Sequence, residues 1–213
     1  MKARFSATVI LAVLLGVLPA AATTIAYNDL GSWSAATTGG ITQLTIPDTL
    51  LLLGQGNASL VTAGATFSAS SSLGDGYLFQ LDSSYAGVPM VSDQQLENGV
   101  ENILVSLPES VTAVSFNFDT FNGSDVSYLL SNGDSGTVGS TASNYSIVDF
   151  LGLTSDTAFN SILLTSPDYV FNAGNFEIAG EQESSSVPEP ATLLLVASGL
   201  FAGVKRLRKN VNK

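Results

Sequence analysis

The stretch VTAVSFNFDT, residues 111–120, decides the fold. Val114, Phe116 and Phe118 alternate with Ser115, Asn117 and Asp119, a period of two that suits a strand with one apolar face and one wet face. Working outward, GYLFQL (76–81), ENILVSLP (101–108), DVSYLL (125–130), SIVDFLGL (146–153), FNSILLTS (159–166) and GNFEIAG (174–180) are further short runs rich in β-branched and aromatic residues. Asn98-Gly99, Asn122-Gly123 and Asn132-Gly133 sit between them as hairpin turns or loop tips. Amphipathic helices between the runs are missing, which disfavours a parallel α/β arrangement. The expected fold is therefore all-β, an antiparallel β-sandwich or jelly roll. Two short helical pieces are expected within it. Asp29 or Ser32 caps a helix through Trp33, Ala35 and Ala36, and SDQQLENG (92–99) reads as one helical turn ending at Gly99.

Charge is laid out unevenly. All seven Lys and Arg lie at Lys2, Arg4, Lys205, Arg206, Arg208, Lys209 and Lys213, whereas residues 23–180 hold fifteen Asp and Glu and no Lys, Arg or His. A domain of that sign repels phosphate backbones and anionic head groups, so no nucleic-acid partner is expected. The chain has no cysteine and no histidine, which excludes disulfides, thiol catalysis and Cys-type zinc sites and removes the commonest general base. Carboxylates, hydroxyls and backbone are the chemistry that remains.

The ends read as addresses. Lys2 and Arg4 precede an apolar stretch from Phe5 to Leu18 and the small residues Ala20 and Ala22, the layout of a secretory signal peptide over residues 1–22 with cleavage after Ala22. At the other end, residues 191–204 are apolar or small and are followed by Lys205, Arg206, Arg208 and Lys209. A spanning helix needs about 20 residues, so this run is short. The basic cluster orients it with the acidic domain, residues 23–180, outside. Pro188 and Pro190 bracket Glu189 and stop any helix from running back into the Ser- and Glu-rich linker at 181–187.

Val187, Pro188, Glu189, Pro190, Ala191 and Thr192, then the short apolar run, then the basic tail, resemble the C-terminal sorting signal of PEP-CTERM proteins of Gram-negative bacteria. The resemblance covers residues 188–213 with the preceding valine. It implies processing at Val187–Pro190 by an exosortase-type membrane enzyme, passage through the inner membrane, and delivery to the cell surface or exopolysaccharide matrix. A looser resemblance to the small all-β domains of such proteins rests on SFNFDT, DFLGLTSD and AGNFEIAG. It implies fold more than activity.

Three readings of the domain follow. The first is a non-enzymatic surface or matrix protein that meets exopolysaccharide directly or through divalent cations. The second is a carbohydrate-binding module, calcium-assisted, with Trp33 and Tyr145 as candidate stacking rings and Asp119, Asn122 and Asp125 as candidate ligands of a structural calcium. Behind these stands a hydrolase built on paired carboxylates among Asp119, Asp125 and Asp149. No catalytic residue and no cofactor beyond that calcium is assigned.

Overall fold

The structure, a computed structural model, describes residues 23–56, 58–69, 76–94, 100–141 and 148–181. Twelve strands and two short helices follow in the order β1 (Thr24–Tyr27), α1 (Leu30–Ala36), β2 (Thr42–Leu44), β3 (Leu51–Gln55), β4 (Ser59–Thr62), β5 (Ala65–Ala69), β6 (Tyr77–Leu81), α2 (Ser83–Ala86), β7 (Met90–Gln94), β8 (Glu101–Thr120), β9 (Val126–Leu130), β10 (Ser135–Val138), β11 (Asp149–Ser166) and β12 (Val170–Glu181). The fold is all-β and antiparallel, with the main path β10-β9-β11-β8-β12-β7-β6-β3.

The runs 101–108 and 111–120 are one strand of 20 residues, and 149–153 with 159–166 are one of 18. Both serve two layers. One edge of β8 carries β5 beside Ile103–Ser106 and β12 beside Val111–Thr120. Phe67 lies opposite Val105, and Phe176 stacks on Phe116 with ring centroids 5.1 Å apart. A straight strand would hold Val105 and Phe116 roughly 36 Å apart at its ordinary rise per residue. Yet the rings of Phe67 and Phe176 are 5.2 Å apart. The strand therefore folds over at Pro108, Glu109 and Ser110, which are exposed, and lays its two halves face to face. β11 slips register at the matching place, between Thr154 and Ser161. The result is a sandwich whose single main core holds Phe67, Ile103, Val105, Ile162 and Leu164 from one layer and Phe116, Phe118, Leu153, Phe171 and Phe176 from the other.

Two local expectations are corrected. The polar face of residues 111–120 is not wet, because Ser115 and Asp119 are buried. Alternation defines two faces of a strand without saying what covers the second, and here α1 lies across its Ala113–Ser115 end. Asp29 caps that helix by accepting from the Ser32 amide at 2.8 Å. Its Trp33 then packs with Ala113 and Ala179. The helical turn expected at 92–99 is absent where the chain is described. Ser92, Asp93 and Gln94 are extended in β7 and paired with β12 on one side and β6 on the other. Ladder bonds on both edges outweigh the capping preference of Ser and Asp. Residues 95–99 lie outside the described residues, as do the signal segment at 1–22 and the linker, apolar run and basic tail from 182 onward. Among the described residues no helix is long and apolar enough to cross a membrane.

Candidate functional site

Of the two candidate rings, Trp33 is fully buried. Its Nε1 donates to the Leu153 carbonyl at 3.1 Å, and Gly152 lies beneath the indole so closely that a Cβ there would come within 2.5 Å of Cδ1 and Cγ. Such a ring fastens α1 to the sheet and offers no face to a sugar. Tyr145 lies outside the described residues, as do Ala20, Ala22, Val187, Pro188, Glu189, Pro190, Lys205, Arg206, Arg208 and Lys209.

The three candidate calcium ligands find different partners. Asp119 Oδ1 accepts from Asn172 Nδ2 at 2.7 Å. Asn122 gives both its backbone N–H and its Nδ2 to the Asp168 carboxylate. Asp125 is exposed beside Gly139. Of the candidate hydrolase carboxylates, Asp149 accepts from Ser140 Oγ, Thr141 N and Thr141 Oγ1, which is the work of a loop anchor.

What the fold assembles instead is a strip across the outward face of β8, β12, β7, β6 and β3. Register places Asp119, Asn172, Ser92, Phe79 and Leu52 in one row. The next row holds Val170, Gln94, Tyr77 and Gln55. Paired residues on neighbouring strands share a face, so these side chains stand together although they come from five separate segments. Exposure rises along the strip. Asp119, Asn172 and Ser92 are buried, Phe79, Tyr77 and Gln94 are half-buried, and Leu52 is 53% exposed at the edge. The rings of Tyr77 and Phe79 tilt against each other with centroids 6.3 Å apart. Gln94 Nε2 donates to Ser92 Oγ at 2.9 Å. Two half-open rings flanked by the Gln55 and Gln94 amides can hold an apolar ring face and hydrogen-bond the polar groups at its rim.

The buried end of the strip is electrostatically unusual. Asp119 Oδ2 and Asn172 Oδ1 are buried acceptors with no hydrogen-bond donor. Burial, ahead of the nearby Asp149 and Asp168 charges, raises the Asp119 carboxyl to about 6 from 3.8, against the opposing Asn172 hydrogen bond. A carboxyl raised in the fold contributes stability that is complete below 3.8 and is lost as pH rises through about 6. Asp119→Asn abolishes that loss. It also supplies an Nδ2 donor for Asn172 Oδ1, making a reciprocal amide pair. Melting curves of both proteins between pH 3.5 and 7.5 are expected to show the variant gaining on the wild type across that window. Parallel curves would mean that Asp119 titrates normally.

Tyr77, Phe79, Asn172, Ser92 and Gln94 do not stand among the ligand candidates drawn from the sequence, whose rings are Trp33 and Tyr145. Neither MVSDQ (90–94) nor VFNAG (170–174) alternates polar with apolar residues, so no local pattern marks Ser92, Gln94 and Asn172 as sharing a face. Elsewhere, a cleft of about 500 Å³ between β1, the end of α1 and β11 is lined by Thr37, Thr38, Thr112, Thr154 and Asp156 without an aromatic ring.

Residues 186–209 match the family model described as the PEP-CTERM protein-sorting motif. The chain thus carries a PEP-CTERM sorting signal, the mark of an exported, sorted protein. No curated protein matches the sequence. Among solved structures, a mutant of CBM29-2, a family 29 carbohydrate binding module, is similar at 16% identity, covering 62% of this chain and 91% of that one with a TM-score of 0.36. A structure of TmCBM61 in complex with beta-1,4-galactotriose is similar at 14% identity, covering 49% of this chain and 86% of that one with a TM-score of 0.27. Likenesses this slight transfer no ligand to the present chain.

Proposed function

We propose that this is an exported protein of the cell surface or exopolysaccharide matrix, processed through its C-terminal signal by an exosortase-type enzyme and acting there by structure and binding rather than by catalysis. The observation that carries the reading is the sorting motif at 186–209. Its order of Pro-Glu-Pro, apolar run and basic tail supports the reading, since prolines disfavour helix at the triplet and a basic tail favours retention on the cytoplasmic side. The domain's carboxylates favour a non-catalytic role. Asp29, Asp48 and Asp82 accept backbone N–H groups near the helix starts, and Asp149 and Asp168 brace loops.

Intact-mass spectrometry of the protein from membrane and extracellular fractions of its native host tests the reading. The expected mature chain begins near Thr23 and ends near Pro188–Pro190. A chain still ending at Lys213 in every fraction would replace processing with simple retention at the membrane.

A second reading has one specific observation in its favour. The paired rings of Tyr77 and Phe79, bordered by Gln55, Gln94 and Ser92, form a strip suited to an uncharged sugar chain. Tyr77→Ala is expected to weaken binding to the host's own exopolysaccharide at least tenfold, by about 1.4 kcal/mol, with the melting temperature little changed. Equal binding by wild type and variant would exclude the strip.

A further inference from the structure

Within the core, on the opposite face of β7 from that strip, two carboxyl side chains meet. Asp93 faces inward opposite Phe171 of β12 and Leu78 of β6, both core residues. Glu101, at the start of β8, lies in line with the core residues Ile103 and Val105 and opposite Ser166 of β11. Asp93 and Glu101 are each fully buried, and their side chains lie within hydrogen-bonding reach of one another. The backbone N–H of Asn102 donates to Asp93 Oδ2 at 3.3 Å, while Asp93 Oδ1 is buried with no donor.

Bringing two carboxylates together out of water is costly unless positive charge accompanies them. The domain cannot supply that charge, since residues 23–180 contain no Lys, Arg or His. Relief must come from solution, as a proton shared by the pair or as a cation. We propose that Asp93 and Glu101 hold one divalent cation of the oxygen-preferring kind, calcium ahead of magnesium, bridging the two layers of the sandwich from within. Two carboxylates match one divalent charge, and hard oxygen donors select an alkaline-earth ion over a transition metal. Thr120 lies in the same row as Asp93, and Ser166 pairs with Glu101. Both are buried and bring neutral hydroxyl oxygens to this end of the core. Calcium takes six to eight oxygens and tolerates irregular shells, whereas magnesium demands a near-ideal octahedron. This site is separate from Asp119, Asn122 and Asp125, and it would operate wherever the protein is delivered.

The test uses the full chain in detergent, stripped with chelator and returned to calcium chloride or magnesium chloride. Calcium at about a hundred times its dissociation constant is expected to raise the melting temperature by roughly 5–10 °C. Native mass spectrometry is expected to count one ion per chain. Asp93→Asn and Glu101→Gln are neutral and nearly isosteric, so each relieves the contact between like charges. Both variants should melt above the chelated wild type and lose the calcium shift, whereas Asp125→Asn should keep it. No shift and no bound ion in the wild type would overturn the proposal and leave the pair sharing a proton. A full shift persisting in both variants would overturn it equally, by placing the ion elsewhere. If either variant fails to fold, the ion count on the wild type decides.

Discussion

Trp33→Ala is expected to lower the stability of the domain by about 3–5 kcal/mol, the range for emptying a large aromatic site in a packed interior. The side chain is fully buried and sits on Gly152, Ala113 and Ala179, with Tyr27 and Phe150 at its border. Truncation leaves a cavity there and removes the Nε1 donor from the Leu153 carbonyl. The helix it belongs to has 7 residues, too few to persist without tertiary contacts. Losing the indole therefore loosens α1 as a unit and uncovers the outer face of β11, β8 and β12. For a domain of this size the melting temperature should fall by roughly 6–20 °C. Trp33→Phe should recover most of the loss, because it keeps the ring and gives up the hydrogen bond. A melting temperature within about 2 °C of wild type for Trp33→Ala would show that the helix is held by something else.

Replacing Pro188, Glu189 and Pro190 together by alanine is expected to have the largest effect on fate and almost none on the fold. A proline has no backbone donor and disfavours the helical conformation in the residue before it, so Pro188 and Pro190 would stop any helix over 191–204 from growing backward. Alanine is the best helix former and lifts that restriction. On the proposed processing, the segment offered to the enzyme would then be free to join any helix formed by the apolar run. Intact-mass spectrometry should find the variant in the membrane with Lys213 still attached and the processed form lost. The melting transition of the domain should be unchanged, since the motif lies beyond β12. Normal processing of the triple variant would remove the motif from the export reading while leaving the basic tail as its remaining support.

Much of the fold was legible because strands advertise themselves locally. Period-two alternation at 111–120 and the Asn132-Gly133 pair between β9 and β10 are properties of a few consecutive residues. Gly133 does adopt a positive φ of 98° and donates its N–H to the Leu130 carbonyl, as a tight turn requires. The Asp29 cap was legible for the same reason, since donor and acceptor are three residues apart. The tail was legible because its order of proline, apolar and basic elements acts through composition and topology rather than packing.

The candidate sites were not legible in this way. Asp119 and Asn172 are separated by 53 positions and meet only because β8 and β12 pair in one register. Asp93 and Glu101 look like two ordinary acids among fifteen until β7 and β8 both turn them inward. Trp33 could be read as an exposed platform until α1 laid it over Gly152.

By itself, then, the sequence determined that the chain makes antiparallel strands, that its domain carries negative charge without an internal partner, and that its end is a sorting signal. Only the tertiary structure decided that two pairs of predicted strands are single strands bent between two layers, and which acids are shut away from water. The physical reason is that strand periodicity and charge are local sums over neighbouring residues. Burial and register depend on segments far apart in the chain, and one residue of slip would turn every one of these side chains to the other face.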